Sequence, residues 1–143
     1  MLTPHPAITH ATALHLIGLA IDRAAALGQK VSVAVVDNHG NLKAFARMDG
    51  SSFGSGEIAR QKALTSASLP FSTRRMGERN VAMASAPFTG GAIAGAIMLP
   101  GGIPIFGQDG SHLGGFGLFG AAPDVDEEIA EWVLAAVLPK KDA

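Results

Sequence analysis

Apolar positions recur at two different spacings along the chain, and the spacing predicts the order of its elements. Residues 9–27 carry apolar side chains at helical spacing, with Thr9 as N-cap and Gly28 where the helix should stop. Residues 31–37 are β-branched and residues 42–48 alternate, so the polar turn NHGN between them predicts a hairpin. Four apolar residues of the second run are predicted to share one face: Leu42, Ala44, Ala46 and Met48.

The second half of the chain predicts two helices, a hairpin and a last helix. The helices are expected at 57–69 and 72–80, and the hairpin strands at 103–107 and 112–120. The last helix begins near Asp124, where Asp124 and Glu127 resemble a capping box. Strands joined by tight turns are antiparallel, so we predict an α+β fold in one domain, residues 1–143, with helices flanking one sheet.

Composition limits the class of protein. A chain of 143 residues is long enough to bury one core, and without cysteine it has neither disulfides nor thiolate metal sites. The net charge of −1 argues against nucleic acid as a partner. No signal-like start or membrane span is found, so we expect a cytoplasmic protein. Charged residues make up only 16%, against about 25% in typical domains, which favours a homo-oligomer.

Glycine is concentrated in one part of the chain. Of 18 glycines, 11 lie between Gly90 and Gly120, yet neither a P-loop nor a dinucleotide-binding fingerprint is present. Glycines in strands mark bulges or places where another backbone or a flat ligand approaches closely. Gly101 and Gly102, in the segment PGGIPI, are therefore candidate contacts for a planar cofactor.

Three histidines are candidate ligands. His10 and His15 are five residues apart on the first helix, so they do not form the i, i+4 pair that a metal site on a helix needs. Either could ligate a haem iron alone, since that needs one nitrogen in an apolar setting. His10 shares the face of Leu14 and is predicted to point toward packed surface. His39 is expected at the hairpin tip, where a solvated turn residue is the more common case. Each histidine could equally have a structural role.

Sparse charged residues provide a second set of candidates. Lys62 is predicted to lean inward, where it would bind a carboxylate, bind a propionate, or act as a base if desolvated. A lysine that covers apolar surface is the commoner case. If the chain is an enzyme, Arg47, Lys62 or Arg75 would orient an acid and Asp37 or Asp49 would move a proton.

Several segments in order resemble the GlcG/HbpS family, which includes the C-terminal domain of PduO-type corrinoid adenosyltransferases. These segments are VSVAVVDNHGNLKAFARMDG, EIARQKALTSA, PGGIPI and DGSHLGGFGLFGAAPDVDEEIA. The resemblance implies a profilin-like fold, with a five-stranded antiparallel sheet between helices (α/β/α layers) and a fifth strand within 92–100. It also implies assemblies from dimers to octamers. One departure is Phe119, where the family usually has serine before the glycine.

The resemblance further implies haem binding in several members, with a histidine as axial ligand in the PduO-type domain. Carried over, that ligand is His10 or His15, with His39 a weaker match. Three hypotheses follow. The first is a haem-binding homo-oligomeric carrier, storage or sensor module. The second is a cofactor-independent isomerase or hydrolase acting on a small carboxylated metabolite, which we favour less. The third is an accessory subunit without its own ligand. No membrane partner is expected.

Overall fold

The predicted order of elements is confirmed. The computed structural model describes residues 2–82 and 93–138. Its helices are α1 (His10–Ala26), α2 (Ser55–Ser68), α3 (Thr73–Ala82) and α4 (Pro123–Val137). Its strands are β1 (Ser32–Asp37), β2 (Leu42–Arg47), β3 (Gly102–Phe106) and β4 (His112–Phe119).

The described strands form one antiparallel sheet in the order β2-β1-β4-β3. β1 is buried along its whole length and lies between β2 and β4, whereas β2 and β3 lie at the edges of the sheet. Residues 93–100 form bends and turns rather than a strand, and Ala92 lies outside the described residues. The α+β class is therefore confirmed, while the fifth strand and the profilin-like form of the sheet stay predictions.

Helices cover both faces of the sheet, and the two faces are packed differently. On one face, α1 and α4 bury a large core with the bulky side chains of β1 and β4. On the other face, Ala63 and Ala67 of α2 pack against Ala34 and Val36 of β1 in a small cluster. This three-layer arrangement places the C-terminal end of β4 beside the first turn of α4.

The glycines of β4 explain how closely α2 approaches the sheet. A Cβ at Gly115 would lie 2.1 Å from the Ala63 carbonyl oxygen, and one at Gly117 would lie 2.1 Å from that of Ala59. Phe116 and Leu118 alternate with these glycines and fill the opposite core. In this strand the glycine excess therefore provides close contact with a helix, which is one of the two uses that the sequence predicted.

Two predicted faces are wrong in detail. The buried stripe of α1 is Ala13, Leu16, Ile17, Ala20 and Ala24, so Leu14 is 51% exposed. In β2, a bulge at Lys43 pairs Val35 with Ala44 but Val36 with Leu42. The extra residue turns Leu42 to the α2 face, away from Ala44 and Ala46.

The predicted capping box of α4 is also wrong. The N-cap position is Ala122, which makes no side-chain capping bond. Asp124 and Glu127 instead form ion pairs with Arg74 of α3, where Arg74 Nε lies 2.7 Å from a Glu127 carboxylate oxygen. These contacts join α3 to the start of α4.

Candidate functional site

Lys62 lies at the centre of a fully buried ion pair. Its side chain extends from α2 along the end of β4, and its Nζ donates to the Leu118 carbonyl oxygen at 2.9 Å. Nζ also lies 3.3 Å from Asp126 Oδ2, and both side chains have no exposed surface. The ring of Phe119 covers the ammonium group at 4.8 Å from its centroid. Three elements, α2, β4 and α4, are joined by this one lysine.

The glycine pair that precedes Ile103 packs against the same lysine. A Cβ at Gly101 would lie 2.8 Å from Lys62 Nζ and 2.6 Å from the Leu118 carbonyl oxygen, and Gly101 has φ of +120°. Gly102 N–H donates to Thr73 Oγ1 at 3.0 Å, while a Cβ at Gly102 would lie 2.6 Å from the Lys62 carbonyl oxygen. The absence of side chains at Gly101 and Gly102 therefore makes room for Lys62 and Thr73.

Burial governs the titration of this pair. Burial lowers the pKa of Lys62, and the attraction of Asp126 opposes that shift. Burial likewise raises the pKa of Asp126, opposed by the Ala121 N–H and by Lys62. Asp126 Oδ1 accepts from Ala121 N–H at 2.9 Å, so the carboxylate also holds the turn before α4. Every polar atom of the pair is bonded, and a ligand carboxylate would have to displace Asp126 to reach Nζ.

The histidines of α1 are exposed, in contrast to the buried Lys62. His10 and His15 are both exposed, so the prediction that His10 points toward packed surface is wrong. The residue one turn after His15 is Gly18, whose position faces open space: a Cβ there would meet no atom within 4 Å. Ala11, one turn before His15, is also exposed, and Leu14 adds apolar surface. We call Ala11, Leu14, His15 and Gly18 the open α1 face.

The hairpin that carries His39 is held by its neighbours. Asp37 Oδ1 accepts from the backbone N–H of His39 and of Asn41, at 2.9 Å each. Burial alone would raise the pKa of Asp37, but these N–H groups and the Asn41 side chain outweigh it and lower the pKa. Asn38 Nδ2 donates to the carbonyl oxygens of Pro6 and His112. Asp37 and Asn38 therefore stabilise the turn, and the imidazole of His39 is exposed.

The remaining enzyme candidates do not converge. Arg47 is exposed and donates to the Ser51 carbonyl oxygen at 2.9 Å, and Asp49 is exposed in the following loop. Arg75 stacks on Phe71 of the segment before α3. Within residues 2–82 and 93–138, no hydrogen bond or ion pair joins any two of Arg47, Asp49, Lys62 and Arg75.

A groove of about 600 Å³ lies between β3 and the C-terminal half of α4. Its walls are residues 103–106 of β3 with Gly107 after the strand and, from α4, Glu131, Leu134 and Ala135, with Leu138 at the end. No imidazole or thioether lines it, so it offers none of the usual protein ligands of haem iron. Across the part of the chain that the structure describes, no group of three or more His, Asp or Glu side chains is arranged to hold a metal ion. None of its helices is both long and apolar enough to cross a bilayer.

Two residues around Lys62 and Gly102 were not predicted from the sequence: Asp126 and Thr73. Asp126 was not among the candidates named from the sequence, yet Ile129, Ala130 and Val133 follow it at helical spacing and are all buried. That spacing is the signal that could have placed Asp126 on the buried face. Thr73 carries no comparable signal, because its partner Gly102 is 29 residues away.

Comparison with known proteins places the chain in a family. The family model described as haem degrading protein HbpS-like matches residues 8–135. The chain belongs to the HbpS-like family. The resemblance inferred from ARMDG and PGGIPI is thereby confirmed.

Two solved structures support the fold. A double mutant of Streptomyces reticuli HbpS is 34% identical, with a TM-score of 0.86, over 95% of this chain and 90% of that chain. A structure described as a PduOC–heme complex is 28% identical, with a TM-score of 0.81, over 92% of this chain and 95% of that chain. Corrinoid adenosyltransferase PduO of Salmonella typhimurium is 30% identical over 82% of this chain. The match spans only 35% of that longer relative.

Proposed function

We propose that this chain binds haem through an imidazole on the open α1 face, with His15 as the axial ligand. The observation that carries the proposal is the exposed His15 beside Gly18, whose position faces open space. A flat macrocycle needs backbone free of side chains next to its ligand, and a glycine one turn away provides it. The matches to HbpS and to a PduOC–heme complex support haem as the bound molecule.

The residues of the open α1 face fit haem in their chemistry. A haem iron requires one neutral imidazole nitrogen, and the ring requires apolar contact. Leu14 is 51% exposed, and Leu19, partly buried against the core, follows His15 by one turn. His15 would hold the iron, and the bound group would supply redox or gas-binding chemistry.

His15 is favoured over His10 and His39 by its surroundings. His10 is the first residue of α1, so it has helical neighbours on one side only. His39 belongs to a tight turn whose backbone N–H groups are held by Asp37. His15 alone has Ala11 and Gly18 one turn before and after it.

Haemin titration of the purified protein tests this proposal. We expect a Soret band that shifts on binding in the wild type, in His10→Ala and in His39→Ala. His15→Ala is expected to bind at least tenfold more weakly. An unchanged titration of His15→Ala would exclude it as the ligand, and the absence of any Soret shift in the wild type would exclude haem binding.

A second candidate is haem turnover, which the family description names. The open α1 face is exposed to solvent, so a small oxidant would reach a haem bound there. Adding hydrogen peroxide to the haem-loaded protein and following the Soret band together with released iron separates the two candidates. A stable band with no iron release indicates binding alone.

We further infer that copies of the chain assemble through exposed apolar surface. Only 16% of the residues are charged, and the large apolar side chains of Leu14, Phe45 and Trp132 are exposed. Both observations support assembly. Light scattering of the eluted protein should give a mass between a dimer and an octamer. A monomer across the micromolar range would exclude it. A cytoplasmic location stays a prediction that cell fractionation would test.

A further inference from the structure

Two arginines of α3 share one aromatic ring. Arg75 and Arg79 are one turn apart on the helix, and their guanidinium carbons lie 4.7 Å and 5.1 Å from the centroid of the Phe71 ring. Both arginines are exposed, whereas Phe71 is partly buried. The Phe71 ring therefore holds two positive charges, each about 5 Å from its centroid, at the surface.

Among the described residues, Arg75 and Arg79 lack the carboxylate partners that three other arginines have. Arg23, Arg60 and Arg74 each form an ion pair with a glutamate or aspartate. Within the described residues, no carboxylate oxygen lies within 4 Å of Arg75 or Arg79, and the sequence of residues 83–92 contains no acidic residue. Two like charges held on one ring repel each other, so an anion that binds both would relieve an unfavourable interaction.

An apolar pocket adjoins the arginines. It has a volume of about 150 Å³ and is lined by Leu69, Phe71, Met76 and Arg79. A cavity of about this size holds a benzene-sized group. The arrangement therefore combines a doubly cationic surface with an apolar space large enough for one ring.

We propose that Arg75, Arg79 and the pocket beside Phe71 bind a small phosphate monoester whose organic part is the size of one ring. A phosphate monoester is favoured over a monocarboxylate because its three terminal oxygens can accept from both guanidinium groups. The organic part would enter the pocket and pack against Leu69 and Met76. This site belongs to α3 and the segment before it, and it does not depend on haem binding.

Calorimetric titration at low ionic strength with phenyl phosphate, inorganic phosphate and phenol tests both halves of the site. We expect phenyl phosphate to bind most tightly, inorganic phosphate at least tenfold more weakly, and phenol without measurable saturation. No saturable binding of phenyl phosphate at millimolar concentration would overturn the proposal. Equal affinity for phenyl phosphate and inorganic phosphate would also overturn it, because the pocket would then contribute nothing.

Matched variants separate this site from general charge effects. Arg75→Gln and Arg79→Gln are each expected to weaken phenyl phosphate binding at least fivefold. Arg60→Gln removes the same charge from α2, where Arg60 is paired with Glu57, and should leave the affinity unchanged. Phe71→Leu keeps both charges but removes the ring, and should weaken binding severalfold. Equal weakening by Arg60→Gln would exclude a specific site on α3.

Discussion

The buried pair of Lys62 and Asp126 and the open α1 face are built in opposite ways. Around Lys62, each polar atom of the ion pair has a bonding partner, and a Cβ at Gly101 would collide with Lys62 Nζ and the Leu118 carbonyl oxygen. Around His15, a Cβ at Gly18 would meet nothing within 4 Å. Lys62, a candidate base in the sequence, thus stabilises the fold, whereas His15, the proposed haem ligand, lies on an exposed helix surface.

Lys62→Met is expected to have the largest effect on stability. It leaves the Asp126 carboxylate buried without its cation, which typically costs about 3–5 kcal/mol of the free energy of unfolding. Urea unfolding at pH 7 measures the loss. Haemin titration of the folded fraction should match the wild type, because Lys62 lies away from the open α1 face.

Two further measurements refine that prediction. The pKa of Asp126 is already raised, and without Lys62 the folded state would favour its protonated form still more. Between the unfolded value of 3.8 and the raised folded pKa, the folded state then binds more protons than the unfolded state, so the deficit of Lys62→Met should shrink as the pH falls through that range. Lys62→Met combined with Asp126→Asn should recover part of the stability. A deficit below about 1 kcal/mol at pH 7 would contradict a structural role for the pair.

Gly117→Ala tests the close packing of α2 on β4. The new Cβ would lie 2.1 Å from the Ala59 carbonyl oxygen, so the helix would have to move. Overpacking of this kind typically costs about 1–3 kcal/mol. Thermal unfolding of Gly117→Ala beside the wild type gives the value, and an unchanged midpoint would show that α2 can shift freely.

Asp37→Asn tests the β1–β2 hairpin, which lies between the buried ion pair and the open α1 face in character because Asp37 is buried and His39 is exposed. Losing a charged acceptor of two backbone N–H groups should cost about 1–3 kcal/mol at pH 7. Because the folded pKa of Asp37 is lowered, this stabilisation is complete above the unfolded value of 3.8 and is lost as the pH falls through the folded pKa. Urea unfolding from pH 7 down to about pH 3 should therefore show the two proteins converging. Asp49→Asn, at an exposed position, serves as the control.

Gly18→Ala should have the smallest effect, in the opposite direction. Alanine replaces glycine inside an exposed helix and meets no atom, so stability should rise by about 1 kcal/mol or less. Haem affinity should fall severalfold if the macrocycle lies over this position. A loss of stability would show that the α1 face is covered by another surface in the folded protein.

Local patterns were sufficient for the elements but not for their long-range contacts. The β-branched run of β1 and the alternation of β2 predicted a hairpin because strand pairing there is local. The buried face of α1 differs from the predicted face because Ala13, Ala20 and Ala24 are the residues that are buried. Alanine is common on both faces of a helix, so its positions did not indicate the buried one. The bulge at Lys43 has no recognisable local signal, so Leu42 was placed on the wrong face.

Contacts distant in sequence were beyond prediction from one chain. Lys62 and Asp126 are 64 residues apart, and Arg74 meets Glu127 across 53 residues. Each residue could be identified as charged and helical, but its partner depends on how α2, α3 and α4 pack. The candidate histidines were found by residue type, whereas the surroundings that distinguish them, above all the open position of Gly18 beside His15, required the structure.

The two edges of the described sheet have a consequence for aggregation. The bulge at Lys43 interrupts regular pairing along β2, and Pro104 in β3 has no N–H to donate to a further strand. A second chain added at either edge would leave backbone groups without partners. Continuous strand pairing with a second copy is therefore disfavoured at both edges, which protects this sheet from extending into fibrils.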